Sequence, residues 1–300
     1  MTKTLMARVR RRQTSSDLDG LSDADYLQLA YLLLLGRDPD PTGSAHYLAA
    51  MAAGTSRAEI AGVLRDSSEF RGRQYTHPFH AMHASRVAWV HSLPAGRRIV
   101  DLGGVARDNP QGSLVFMGYP HSFDELIIID LPSDARHELY VDGQQPVEHV
   151  TPQGRVRYHY HSMTDLSAFA DCSVDLVVSG QTFEHVTRDE GDQVLAETYR
   201  VLRPGGFLAL DTPNRAVTAL EVQDGPAEFI NPDHKVEYHH AEMLELFTRH
   251  GFEVPVSYGL SHMPETAASG KFDVTELLRH PGIYGDPESC YMLAYLALRP

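Results

Sequence analysis

The sequence predicts an α/β fold, a mostly parallel sheet covered on both faces by helices, preceded by a small all-helical unit. Two observations carry the prediction. From residue 98 onward, short apolar runs of strand length alternate with segments whose apolar residues recur at helical spacing. Strands separated by helices pair in parallel, because each crossover returns the chain to the same end of the sheet. Ahead of them, residues 22–70 hold three helical stretches, the first and third with cap residues at their starts, and no strand-like run. The 300 residues, 42% hydrophobic and 22% charged, suffice for one large core and one small one. The expected division is a flexible basic tail over 1–20, a helical domain over 21–72 and an α/β domain over 73–300, with the boundary near 70–80.

The elements follow in order. Ser22 opens the first helix, where a serine hydroxyl accepts from a first-turn amide. Tyr26, Leu29 and Leu33 share its apolar face, and Gly36 with "DPDP" ends it. A second helix runs over about 42–53, with Tyr47, Leu48 and Met51 on one face, and stops at Gly54. Ser56 and Glu59 form the S-x-x-E capping box of a third helix, whose Ile60 and Leu64 face inward. A fourth spans about 82–92, broken by Pro94 and Gly96. The strand candidates are "RIVDL" (98–102), "ELIIIDLP" (125–132), "VRYHYHSM" (156–163), "VDLVVSG" (174–180), "FLALDTP" (207–213), the end of "HAEMLELFTRHGFEVPVSYG" (240–259) and "CYMLAYLALRP" (290–300). Between them, "EGDQVLAETYRVLRPGG" (190–206) reads as a helix with Val194, Leu195, Tyr199 and Leu202 on one side, stopped by Pro204 and Gly205.

Bulk properties exclude several classes. A formal net charge of −14 gives no general electrostatic grip on nucleic acid or on an anionic membrane. The two cysteines, Cys172 and Cys290, make neither a disulfide scaffold nor a Cys-rich metal site. The basic start "MTKTLMARVRRRQTSS" is followed by no apolar stretch, so no signal peptide is read, and "YLLLLG" is far too short to span a bilayer. A cytoplasmic protein without a transmembrane segment is expected.

In an open parallel sheet, ligands bind beyond the carboxyl ends of the strands. "VDLGG" places Asp101, Gly103 and Gly104 there, and Asp130 ends the next strand. Glycines let a loop turn tightly and let a ligand approach its backbone, although the same pair also fits an ordinary strand-to-helix turn. A carboxylate after the second strand can accept both hydrogens of a ribose diol. The pyrophosphate fingerprint G-x-G-x-x-G is absent, because Val105 and Ala106 follow the glycine pair. That argues against a nicotinamide-dependent oxidoreductase.

With these residues in place, segment 97–256 resembles the class I S-adenosylmethionine-dependent methyltransferases. "DLGG" is similar to their nucleotide-binding loop, and "DLVVS" followed by "EH" to their fourth-strand block. "LRPGGFLALDTPN" and "HGFEV" are similar to the fifth strand and the late helix-to-strand passage. The resemblance implies a Rossmann-like domain with a seven-stranded, mostly parallel sheet and S-adenosyl-L-methionine as cofactor. It implies a loop acid at Asp101, a ribose acid at Asp130 followed by Leu131, and an adenine-side acid at Asp165 flanked by Met163 and Thr164. Gly180 and Gln181 complete the cofactor set. Many relatives carry a further glycine where this chain has Val105. The segment over 22–70, with "LLGRDPDPTG", "GTSRAEI" and "SSEF", resembles the DUF4214 helical domains. That hints at a glycan or glycolipid setting, beside the plainer role of a packing or oligomer module.

Methyl transfer to a hydroxyl requires alignment, exclusion of water and a proton acceptor. His185 is the first candidate base and Glu184 the acid to orient it, although "EH" also fits a helix cap or pocket lining. "NPDHKVEYHH" (231–240) supplies His234 as the alternative base, within a loop placed to cover an acceptor. No metal is expected: His77, His80 and His83, or His159 and His161, match no closed zinc pattern. The expected activity is O-methylation of a small-molecule or glycan substrate, a sugar, glycolipid or natural-product hydroxyl, in a monomer or homo-oligomer and without nucleic acid. A non-catalytic binding or assembly protein on the same fold is the competing reading.

Overall fold

The computed structural model describes residues 22–31, 39–67, 78–106, 109–135 and 147–300. The expected basic tail, Leu33, Gly36, the end of "SSEF" and most of the 70–80 boundary lie outside the described residues. The chain divides into two compact units, Met1–Tyr75 and Thr76–Pro300.

The first unit is helical in its described residues. Helix α1 (Asp23–Ala30) starts where Ser22 Oγ accepts the Asp25 N–H at 3.1 Å. Helix α2 (Pro41–Ala52) begins one residue before the expected start, because Asp40 caps it by accepting the Gly43 N–H and Pro41 fits the first turn without a missed hydrogen bond. Helix α3 (Arg57–Asp66) has the expected reciprocal cap between Ser56 and Glu59. Leu27, Ala30, Tyr31, Met51, Ile60 and Leu64 form its core. Arg57 closes the surface, paired with Asp23 at 2.8 Å and lying over the Tyr26 ring.

The second unit opens with α4 (Pro78–Ser92) and is built on a nine-stranded sheet among the described residues. In chain order the strands are β1 (Arg98–Leu102), β2 (Glu125–Asp130), β3 (Glu148–Val150), β4 (Arg155–Tyr160), β5 (Val174–Gly180), β6 (Leu202–Pro213), β7 (Glu253–His262), β8 (Ile283–Tyr284) and β9 (Cys290–Leu298). Their order across the sheet is β3-β4-β2-β1-β5-β6-β9-β7-β8. The seven expected strands form the body. Two short strands extend it, β3 antiparallel to β4 and β8 antiparallel to β7. Strands β4, β2, β1, β5 and β6 are parallel, whereas β9 runs antiparallel to both β6 and β7.

Strand residues alternate between two cores, as a two-residue repeat requires. Ile99, Leu126, Ile128, Leu176 and Val178 pack with Trp89 and Val90 of α4 and with Leu114 of the short helix α5 (Gly112–Phe116). Val100, Leu102, Ile127, Ile129 and Val177 face the other way. They meet Val194, Leu195 and Val201 of α6 (Arg188–Val201) and Met243 and Phe247 of α8 (His240–Arg249). Helix α6 ends at Val201, not near 206. Leu202 is already extended, the residue before Pro204 is disfavoured in a helix, and the chain enters β6 at once. Helix α7 (Arg215–Val222) follows β6.

"TELLRHPGIYGDPESC" packs as part of the sheet edge. Its Glu276 carboxylate accepts the Glu265 and Thr266 N–H groups at the start of a short helix, Pro264–Ser269. Asn214 Nδ2 donates to three backbone carbonyls of 287–290. Among the described residues no helix is long and apolar enough to cross a membrane.

Candidate active site

The carboxyl ends of the parallel strands converge on a cavity of about 230 Å³. Gly103 and Val105 after β1 line it, as do Asp130 and Leu131 after β2 and Met163 after β4. Gln181, Thr182 and His185 after β5 close it, with Asp233 from the 231–240 loop.

The glycine loop is shaped by close approach. Gly103 has φ +74° and donates its N–H to Ile129 O at 2.7 Å. A Cβ there would stand 2.3 Å from Thr182 Cγ2, and one at Gly104 would stand 2.1 Å from Asp101 Oδ2. No side chain fits at either position without displacing a neighbour. Asp101 lies beneath the loop and is buried; burial pushes its carboxyl up to about 7, with Arg86 acting in the opposite direction. Its Oδ2 has no hydrogen-bond partner among the described residues. Asp101, Gly104 and Gly180 line a smaller space of about 20 Å³ together with Arg86 and Asp211.

Asp130 organises the rim. Its Oδ2 accepts the Val105 N–H at 3.3 Å and its Oδ1 the Leu131 N–H at 2.8 Å. Val105 therefore lies in the cavity wall with its amide tied across to the second strand. Thr164 and Asp165 stand outside the cavity lining. The Thr164 hydroxyl meets that of Ser162 at 2.8 Å. Asp165 is exposed and its Oδ1 accepts the Ser167 N–H at 2.9 Å; the Ser167 side chain, and then this amide, hold its carboxyl below the usual range.

After β5 the backbone is strained. Gln181 has φ +55°, a region costly for a residue with a side chain. It is held by Asp211, whose O accepts the Gln181 N–H at 2.8 Å and whose Oδ1 accepts Nε2 at 2.9 Å. Arg86 of α4 pairs with the same carboxylate at 2.9 Å. Its Nη2 occupies the space that a Cβ on Gly180 would need.

Beyond Gln181, a turn at Phe183–His185 brings the expected acid and bases together, but not as the neighbouring pair in sequence. His185 Nδ1 meets Asp233 Oδ2 at 3.0 Å. Glu184 is buried, accepts the Thr212 hydroxyl at 3.0 Å, and lies 4.0 Å from His234 Nε2. Burial pushes Glu184 up to about 7, with His234 opposing. Burial also lowers the His185 pKa, as does His234, while Asp233 acts to raise it. His234 is buried, with Nδ1 2.8 Å from Glu237 Oε1, and its ring stands edge-on to that of His185 at 4.9 Å between centroids. Glu237 also accepts from the Thr218 hydroxyl and the Ile230 N–H. Burial would raise its pKa, but these bonds together hold it low.

Sequence reasoning missed Arg86, Asp211, Thr212 and Asp233. Asp211 closes the apolar run of β6, a signal like the one that exposed Asp130 at the end of β2. Arg86 sits on a helix without any motif.

Residues 125–210 match the family model described as a methyltransferase domain, and residues 13–74 match the domain of unknown function DUF4214. The chain carries a class I S-adenosylmethionine-dependent methyltransferase domain. A probable S-adenosylmethionine-dependent methyltransferase of Mycolicibacterium smegmatis is 38% identical over 136 residues, 44% of this chain and 50% of the relative. A second, from Mycobacterium tuberculosis strain H37Rv, is 35% identical over 132 residues, 43% of this chain and 46% of the relative. A ubiquinone biosynthesis O-methyltransferase of Xanthomonas axonopodis pv. citri is 28% identical over 159 residues, 51% of this chain and 59% of the relative. The chain thus spans about half the length of the curated relatives it matches. The methyltransferase domain also resembles in fold a SAM-dependent methyltransferase of Thermotoga maritima. The TM-score is 0.51 and the identity 16%, covering 77% of this chain and 98% of the other.

Proposed function

We propose that the protein transfers a methyl group from S-adenosyl-L-methionine to a hydroxyl of a sugar, glycolipid or natural product. The observation that supports this most is the meeting, around one cavity at the strand ends, of the Gly103–Val105 loop, the Asp130 carboxylate and the His185 cluster. The residues fit the cofactor. Asp101 offers a buried, unpartnered carboxylate oxygen under a glycine loop that admits no Cβ, suited to a cationic amine. Asp130 stands at the rim, where a ribose diol would reach it. Leu131 and Met163 supply apolar contact in the wall, and Gln181 a polar edge, with Gly180 behind it. Thr164 and Asp165 would join only at the outer adenine edge.

When bound, the cofactor supplies a methyl group already activated by the positive charge on sulfur. The chain must hold the acceptor in line, exclude water, and deal with the hydroxyl proton. His185 is the cavity-facing member of the cluster that does so. Glu184 and His234 lie behind it, and Asp233 and Glu237 fix the two rings. The strongly negative chain supports a small-molecule or glycan acceptor over nucleic acid. The domain division at about 73 belongs to the same reading, with the helical unit preceding the methyltransferase domain in the sequence.

Calorimetry with S-adenosylhomocysteine tests the cofactor half. Micromolar binding is expected for the wild type and none for Asp130→Ala. Absence of binding by the folded wild type, with and without candidate acceptors, overturns the reading. For the acceptor half, His185→Gln is expected to lower kcat by about 10²–10⁴-fold, with S-adenosylhomocysteine affinity within about twofold of wild type.

A further inference from the structure

We propose that Glu184, His185 and His234 bind a divalent transition-metal cation beside the cavity. Each of the three offers one ligand atom, and these atoms all lie within 4.8 Å of one another. His234 Nε2 lies 4.0 Å from Glu184 Oε1. Around an ion with bonds of about 2.1 Å, ligand atoms stand about 3 Å apart in cis and about 4 Å in trans. Side-chain shifts of about an ångström therefore complete the site without moving the backbone.

The surroundings are those of a ligand set. Metal-bound imidazoles nearly always give their second nitrogen to a carboxylate, which fixes ring orientation and strengthens the donor. Both histidines have that arrangement here: His185 Nδ1 meets Asp233, and His234 Nδ1 meets Glu237. The charge pattern agrees. Glu237 lies 3.5 Å from Arg215, and Asp233 lies 3.7 Å from Lys235. Glu184, 1% exposed, pairs with no lysine or arginine among the described residues. A buried carboxylate without a cation is costly, and a divalent ion at this point supplies one.

Two imidazoles and one carboxylate select Zn²⁺ or Mn²⁺ over Mg²⁺, which prefers oxygen ligands. His185 and Asp233 line the cavity, so the ion would face the acceptor. There it would bind the acceptor oxygen and lower the pKa of its hydroxyl, so that with the ion bound His185 serves as its ligand and not as the base. That role rests on the methyl-transfer reading; ion binding itself does not. It also departs from the sequence expectation of no metal.

The test uses the full chain, stripped with a chelator and titrated with Zn²⁺ by calorimetry and with Mn²⁺ by EPR. One equivalent of tight binding is expected, with Mg²⁺ at least about 100-fold weaker. Glu184→Gln, His185→Gln and His234→Gln, each checked for folding, are expected to weaken Zn²⁺ by about 100-fold or more. Glu237→Gln, one step removed, is expected to cost about 10–100-fold. His262→Gln, outside the cluster, should change nothing. Should the ligand variants fail to fold, pulsed EPR of the Mn²⁺-loaded wild type still decides, with coupling expected from two imidazole nitrogens. The proposal is overturned if the folded wild type binds no stoichiometric ion. It is equally overturned if binding persists in the folded ligand variants, or if the pulsed spectrum lacks imidazole coupling. S-adenosylhomocysteine binding measured in chelator stands apart, so a failed metal site and a failed cofactor site give different results.

Discussion

Asp101 and Gly104 depend on one another. The carboxylate fills the space where a Cβ on Gly104 would stand, 2.1 Å from Oδ2. Gly104→Ala is therefore expected to cost about 1–3 kcal/mol in urea unfolding, because a buried group must move. Gly225→Ala, where the nearest atom is 3.6 Å away, should stay within about 0.5 kcal/mol. The carboxyl has its own pH signature. Its folded pKa is about 7 against an ordinary 3.8, so the folded chain holds a proton that the unfolded chain releases. The associated stability is complete below about pH 4 and is lost as pH rises to about 7, a change of about 4 kcal/mol. Glu184 titrates over the same range, so the measurement is a difference. Between pH 4 and 7, wild-type stability should fall more steeply than that of Asp101→Asn, and equal slopes would refute the assignment.

At the level of elements, α4 is tied to β6 by one ion pair. Arg86 reaches Asp211, whose carboxylate is almost fully buried and also holds the strained Gln181. Arg86→Leu leaves that carboxylate without its cation, and chemical denaturation should show a loss of about 3–5 kcal/mol. Asp211→Asn in the same chain should recover part of it. This pair also marks how far the sequence could be read. The seven body strands were legible because residues such as Ile127, Ile128 and Ile129 form unbroken apolar runs buried on both faces. The caps at Ser22 and Ser56 were legible because their chemistry is local. The short strands β3 and β8 were not, since three and two residues carry no period. At the site, Asp130 was legible because it ends an apolar strand. Asp233 and Arg86 reach their partners across 48 and 125 residues of chain, and no local pattern encodes such a meeting.

For the whole molecule, the two units keep separate cores. Among the described residues, Tyr26, Leu27, Met51 and Leu64 belong to one cluster, and both sheet-side clusters draw only on residues from Met82 onward. The fragment Thr76–Pro300 is accordingly expected to unfold cooperatively by itself and to bind S-adenosylhomocysteine as the full chain does. Calorimetry of the full chain should resolve two transitions, the smaller absent from the fragment. A single transition shared by both would contradict this.

The position of β9 has a consequence for biosynthesis. It is the last strand in chain order, yet it lies between β6 and β7, and no other strand among the described residues joins them. A nascent chain emerging from the ribosome therefore carries two long strands, each with an open edge, until Cys290–Leu298 has been made. Such edges are templates for pairing with a neighbour on the same polysome. Slowed translation between 262 and 290 would prolong that exposure and lower the yield of folded protein, without altering a single contact in the finished molecule.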